Sequence, residues 1–109
     1  MRKSLSFFML GALAMAGSAS LYAQGDAAKG KDVFDQNCAV CHNADSTDRK
    51  MGPGLKGLFK KSKLDSNGKP VTDANVLDQI NTGGNGMPAY KDNLSADEKT
   101  NLLAYLKTL

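Results

Sequence analysis

Residues 37–46 read NCAVCHNADS and contain both cysteines of the 109-residue chain and its only histidine. Cys38 and Cys41 are separated by two residues, and His42 follows directly. Two sulfurs and one imidazole therefore lie within five consecutive positions, and the chain contains no other cysteine or histidine that could join them. Any site built from these side chains must use this short segment.

The N-terminal residues predict an export signal. Two basic residues precede an apolar run over residues 5–17, and small residues follow up to Ala23. This order of regions is typical of a secretory signal peptide, and the run is shorter than the roughly 20 apolar residues that span a membrane. We therefore predict a signal peptide at 1–23, a mature domain at 24–109 and a periplasmic location, with an uncleaved anchor as the alternative.

The predicted mature chain is large enough for one small domain. It carries 12 basic and 11 acidic residues, a net charge of +1, so its charge gives no basis for nucleic-acid binding. Of five methionines in the whole sequence, only Met51 and Met87 lie in this part. No internal repeat or low-complexity tract appears in it.

Paired cysteines serve several kinds of site, and most fit this segment poorly. A disulfide between Cys38 and Cys41 would close a tiny loop and constrain the unfolded chain little. Zinc requires four protein ligands, or three and a water, and no other cysteine or histidine can complete a tetrahedron around these side chains. A thiol redox motif is expected near a βαβ pattern, which the Gly-rich and polar connections do not offer. The thiol redox protein is kept as an alternative.

The C-x-x-C-H spacing favours covalent haem attachment. Two cysteines with two residues between them can direct their sulfurs at the two vinyl groups of one porphyrin. The histidine after the second cysteine then lies under the iron. We therefore predict one covalent haem c per chain, attached through Cys38 and Cys41, with His42 as an axial ligand of the iron.

A second axial ligand is expected if the iron is to carry electrons, and the candidates are thioethers. Met51 is nine residues after His42, which leaves little chain to reach the opposite face of a porphyrin. Met87 is 45 residues downstream, in NTGGNGMPAY. Its glycine neighbours permit close approach to a flat ligand, and Pro88 stiffens the next step. We predict Met87 as the ligand, with an ordinary core methionine as the alternative.

These motifs resemble those of the short bacterial class I cytochromes c, over nearly all of residues 24–109. CAVCH is that family's haem-binding motif, GPGL at 52–55 resembles its proximal loop, and GMPAY at 86–90 resembles its methionine loop. The family's first helix carries a glycine and, four residues later, an aromatic, which Gly30 and Phe34 match. Its last helix carries an aliphatic and an aromatic residue three apart, which Leu102 and Tyr105 match.

The resemblance implies an all-α fold, a small helical cytochrome c fold wrapped around one covalently bound haem. It implies haem attachment at Cys38 and Cys41, with His42 as the proximal ligand and Met87 as the distal ligand. It also implies that the carbonyl of Pro53 accepts the other imidazole N–H, a contact that orients a ligating histidine. The larger family members have a tryptophan that bonds a haem propionate, and this chain has no tryptophan.

The expected function is that of a periplasmic, monomeric one-electron carrier and not of an enzyme. Its expected partners are redox proteins such as respiratory reductases, oxidases or other cytochromes, with no nucleic acid and no stable membrane insertion after signal cleavage. The alternative is a ligand-binding or peroxidatic haem protein with an open distal site. Lysines 56, 60, 61 and 63 predict either a docking face for a redox partner or, more commonly, a solvated face.

Capping patterns and apolar spacing predict where the helices lie. Ser95 and Glu98 form the S-x-x-E capping box of the last helix. SNGK at 66–69 predicts a turn. The predicted segments are Asp26 to about Asn37, a short turn of helix from Leu55 to Lys60, Thr72 or Asp73 to Gly83, and Ser95 to the C-terminal leucines.

Overall fold

The computed structural model describes residues 25–109, so the predicted signal peptide at 1–23 lies outside the described part. The regular secondary structure of this part is helical, apart from two isolated β-bridges. No helix in it combines the length and the apolar character that crossing a membrane requires. The helices are α1 (Ala27–Asn37), a short 3₁₀ helix (Leu58–Lys60), α2 (Asp73–Thr82) and α3 (Ala96–Leu106).

Each α-helix begins at a side-chain cap that satisfies one of its free N–H groups. Asp26 accepts a hydrogen bond from the Lys29 N–H at the start of α1. Thr72 does the same for α2. At α3 the capping box is complete, with Ser95 Oγ 3.1 Å from the Glu98 backbone nitrogen and Glu98 Oε1 3.0 Å from the Ser95 nitrogen. The predicted helix starts are confirmed.

The crossing of α1 and α3 depends on Gly30. A Cβ added there would lie 1.9 Å from the carbonyl oxygen of Asn101, so a larger residue would hold the two helices apart. Next to this contact the rings of Phe34 and Tyr105 pack with centroids 5.5 Å apart at 58°, within the range that aromatic pairs prefer. Phe34 and Leu102 are 2% and 1% exposed. The residues predicted for helix packing do meet.

The helical turn predicted from Leu55 to Lys60 is shorter than expected. Gly57 precedes the 3₁₀ helix with φ +72°, in the left-handed region, and a right-handed helix cannot continue through that conformation. Only Leu58–Lys60 is helical. At the other end of the chain α3 stops at Leu106, so Leu109 lies beyond the helix that its spacing predicted.

The turn predicted at 66–69 is present. The backbone segments on either side of it pair with each other, as two hydrogen-bonded contacts show. The Leu64 N–H donates to the Lys69 carbonyl at 2.8 Å, and Lys63 bridges to Pro70. Gly68 adopts φ +69°. This loop connects the 3₁₀ helix to α2.

The core is small, and partly buried apolar residues surround it. Cys38 at the end of α1 and Met87 in the loop after α2 both pack against this core. Two residues from different ends of the fold are thereby brought to the same apolar cluster. Its buried members are Val33, Phe34, Leu58, Leu64, Val76, Ile80, Leu94, Leu102 and Leu106.

Candidate haem site

The cysteines and the histidine form one tight turn at the end of α1. The Cys38 N–H closes the helix on Phe34 at 2.7 Å, and the N–H groups of Cys41 and His42 both donate to the Cys38 carbonyl, at 3.1 and 2.9 Å. Both cysteines are free and half-buried. The turn presents two sulfurs and an imidazole from the same short stretch of backbone, as attachment to a single porphyrin requires.

The His42 ring is fixed by the segment at 52–53. Its Nδ1 lies 2.8 Å from the carbonyl oxygen of Pro53. A carbonyl only accepts, so Nδ1 carries the proton and the lone pair of Nε2 is left for a metal. The Gly52 N–H donates to the Cys41 carbonyl at 2.8 Å, which ties this segment to the cysteines. The contact with Pro53 agrees with what the family resemblance implied, and it fits a haem iron bound at Nε2.

Met87 lies in a compact turn that follows α2. Its backbone exchanges two hydrogen bonds with Gly84, at 2.9 and 3.0 Å. Asn85 and Gly86, between these residues, have φ +54° and +88°, and Gly83 has φ +63°. A Cβ at Gly83 would lie 2.4 Å from the Met87 carbonyl, so this turn requires glycine there. The Met87 side chain is half-buried against the core.

Gln79 contacts the Met87 sulfur, a contact that was not predicted from the sequence. Its Nε2 lies 3.7 Å from Met87 Sδ and 3.2 Å from the Gly83 carbonyl oxygen, while its Oε1 accepts from Ser66 Oγ at 2.9 Å. The one local signal was the spacing of Gln79 and Gly83, four residues apart at the end of α2. The contacts with Ser66 and Met87 depend on how the loops fold.

Met51 lies beside the cysteines. Its Sδ is 3.9 Å from Cys41 Sγ, and its side chain is 77% exposed. The neighbouring Lys50 Nζ donates to the Ala39 carbonyl at 3.1 Å, so this segment runs along the C-x-x-C-H turn. The two methionines thus have different surroundings, one exposed beside Cys41 and Met87 half-buried in its own loop.

Tyr90 links the methionine loop to α1. Its hydroxyl donates to the Asn37 carbonyl at 3.0 Å, and its backbone N–H donates to the Ile80 carbonyl at 2.9 Å. Tyr90 packs against the core. Tyr90 therefore holds the end of α2 close to the residue that precedes Cys38.

The thiol chemistry of Cys38 is unfavourable for redox exchange. Burial, followed by the proximity of Cys41, raises the pKa of the Cys38 thiol to about 11. Redox-active cysteines in C-x-x-C motifs have lowered pKa values, because the thiolate is the attacking species. The direction of this shift argues against the thiol redox protein.

The lysines predicted as a docking or solvated face are all exposed. Lys61 pairs with Asp65 at 2.6 Å on the same loop, and such an exposed pair contributes little to stability. The choice between the two roles of this run stays a prediction.

Comparison with known proteins identifies the family. Residues 25–106 match the family model described as cytochrome c oxidase, cbb3-type, subunit III. Cytochrome c6 of Leptolyngbya boryana is 38% identical over 83 residues, which cover 74% of this chain and 89% of the relative. The chain belongs to the class I monohaem c-type cytochromes. The C-x-x-C-H spacing within this family implies covalent haem c, and the cytochrome is an electron carrier and not an enzyme.

Two further matches agree with this assignment. The cytochrome bc1 complex cytochrome c subunit of Corynebacterium diphtheriae is 34% identical over 76% of this cytochrome, which spans 27% of that subunit's length. The solved structure of cytochrome c6 from the diatom Phaeodactylum tricornutum superposes with a TM-score of 0.61 at 29% identity, covering 77% of this chain and 93% of that one. The predicted all-α cytochrome c fold is confirmed.

Proposed function

We propose that this cytochrome is a periplasmic one-electron carrier whose haem iron is coordinated by His42 and Met87. The observation that carries the proposal is the contact between His42 Nδ1 and the Pro53 carbonyl, which directs the other ring nitrogen to a metal. When bound, the haem supplies an iron that gains and loses one electron between the ferric and ferrous states.

Cys38 and Cys41 hold the haem covalently in this proposal. Each thiol would form one thioether with a vinyl group of the porphyrin, a net addition of its S–H across the C=C bond. The addition consumes no oxidant or reductant. Because both sulfurs leave the same tight turn, attachment also fixes the position of His42.

Met87 is proposed as the distal ligand because its thioether combines partial burial with a rigid loop. The bridge to Gly84 and the left-handed residues around it restrict the backbone of this turn. Met51 is highly exposed and lies beside Cys41, which supports its exclusion as a ligand. Two protein ligands held by the fold move little when the iron gains an electron, which suits rapid electron exchange.

Location and partners follow from the leader and the relatives. The export signal predicted at 1–23 supports a periplasmic site of action. A relative from a cytochrome bc1 complex and the match to a family model described as a cbb3-type oxidase subunit support respiratory reductases and oxidases as partners. The monomeric state and cleavage after Ala23 belong to the same proposal.

The ligand assignment is tested by the weak near-infrared sulfur-to-iron absorption band of the oxidised protein. The band should be present in the unmodified protein, lost in Met87→Ala and retained in Met51→Leu, which serves as the matched control. Retention of the band in Met87→Ala would overturn the assignment of Met87.

A further inference from the structure

A relay of hydrogen bonds joins the loop between the 3₁₀ helix and α2 to the proposed distal ligand. Ser66 Oγ lies 2.9 Å from Gln79 Oε1, and Gln79 Nε2 lies 3.7 Å from Met87 Sδ. Ser66 is on the exposed turn of its loop, whereas Gln79 and Met87 are half-buried. A surface hydroxyl is thereby connected through one amide to the sulfur.

The donors and acceptors of this relay permit only one arrangement. The Gly83 carbonyl only accepts and the Met87 thioether is an acceptor, so both must face the NH₂ end of the Gln79 amide. The amide oxygen then faces Ser66, whose hydroxyl must donate to it. By donating to the amide oxygen, the Ser66 hydroxyl polarises the amide. The NH₂ group at the other end then becomes a stronger hydrogen-bond donor, because hydrogen bonds in a chain reinforce one another.

The loop that carries Ser66 is anchored well enough to hold this hydroxyl in place. Leu64 is buried in the core, and its carbonyl accepts from the Gly68 N–H at 3.0 Å while its own N–H donates to Lys69. The bridge between Lys63 and Pro70 closes the base of the loop. The relay therefore begins at a fixed position.

We propose that Ser66 is a positioning residue that raises the reduction potential of the iron through Gln79 and Met87. The inference rests on the proposed function, in which the Met87 sulfur binds the iron. An N–H group directed at the sulfur withdraws electron density from it and makes it a weaker donor. Ferric iron depends on that donation more than ferrous iron does, so the hydrogen bond disfavours the ferric state.

Ser66→Ala should lower the midpoint potential in a spectroelectrochemical titration. It should also shift the near-infrared sulfur-to-iron band of the oxidised protein without abolishing it. Ser66→Thr restores the hydroxyl and should restore both values. The matched control is Ser62→Ala, because Ser62 is an exposed serine that precedes the same turn, and it should leave both readouts unchanged.

A double mutant separates action through Gln79 from a general effect of the loop. Gln79→Leu should lower the midpoint potential, and adding Ser66→Ala to it should produce no further shift. An equal shift in both backgrounds would overturn the relay. So would an unchanged potential and band in Ser66→Ala while the near-infrared band is present. Absence of that band from the unmodified protein would instead show that the ligand assignment has failed.

Discussion

At the scale of single residues, the proximal side depends on the absence of a side chain at position 52. A Cβ added to Gly52 would lie 2.5 Å from Cε1 and 2.8 Å from Nδ1 of the His42 ring. The imidazole is held between this backbone and the Pro53 carbonyl, so it cannot move aside without losing that hydrogen bond. Gly52 thus has a role in orienting the His42 ring that its place in the GPGL motif alone did not explain.

Gly52→Ala should therefore displace the imidazole and reduce the yield of protein with a normal ferrous haem spectrum. The control is Gly57→Ala, where an added Cβ meets nothing within 4 Å but φ is +72°. That variant should lower the melting temperature and keep the haem spectrum. A Gly52→Ala protein with an unchanged spectrum and full haem content would contradict the proposed geometry around His42.

The residue scale also shows the limit of prediction from sequence. The C-x-x-C-H turn was predictable because all its functional side chains lie within five adjacent positions. The contacts of Gln79 were not, because they join residues 8 and 13 positions away in the chain. Only the folded loops bring Ser66 and Met87 to opposite ends of the same amide.

At the scale of the elements, the starts of the three α-helices were predictable, whereas the start of the 3₁₀ helix and the end of α3 were not. The caps at Asp26, Thr72 and Ser95 are local hydrogen bonds, so the sequence around each position carries the signal. The 3₁₀ helix depends on the left-handed backbone of Gly57, and glycine adopts either hand. Its apolar spacing therefore predicted a longer turn than forms.

The α1–α3 crossing gives a prediction about stability. Gly30→Ala should destabilise the haem-loaded protein by about 2 kcal/mol, because overpacking costs up to about 3 kcal/mol and the gain in helix propensity offsets about 1 kcal/mol of it. The added carbon would otherwise lie 1.9 Å from a backbone oxygen of α3. Guanidinium unfolding followed by circular dichroism measures the change.

The exposed Lys29 on the same helix provides the control, and Lys29→Ala should change the free energy of unfolding little. A Gly30→Ala protein as stable as the unmodified one would show that the two helices can separate at no cost.

At the scale of the whole molecule, the haem compensates for a small core. Nine apolar side chains are buried in the part of the chain that the structure describes, and domains of this size often need a covalent or metal staple. Cys38 and Met87 both pack on that cluster, so a haem held by these residues would adjoin the core. We therefore expect folding to depend on haem attachment.

Cys38→Ala combined with Cys41→Ala should abolish covalent haem and leave a largely unfolded chain. Far-ultraviolet circular dichroism and thermal melting of the purified double mutant measure this. Native-like helical content with a cooperative melt in the absence of haem would show that the protein core suffices on its own.

An iron with two protein ligands and no open position distinguishes the proposed electron carrier from a ligand-binding haem protein. With the proposed ligation, carbon monoxide would have to displace the Met87 sulfur before it could bind. The most direct measurement mixes the ferrous protein with carbon monoxide at neutral pH and follows the Soret band, with Met87→Ala as the reference for an open site. We predict slow and weak binding by the unmodified protein and fast binding by the variant. Fast, complete binding by the unmodified protein would contradict ligation by Met87 and the assignment as an electron carrier.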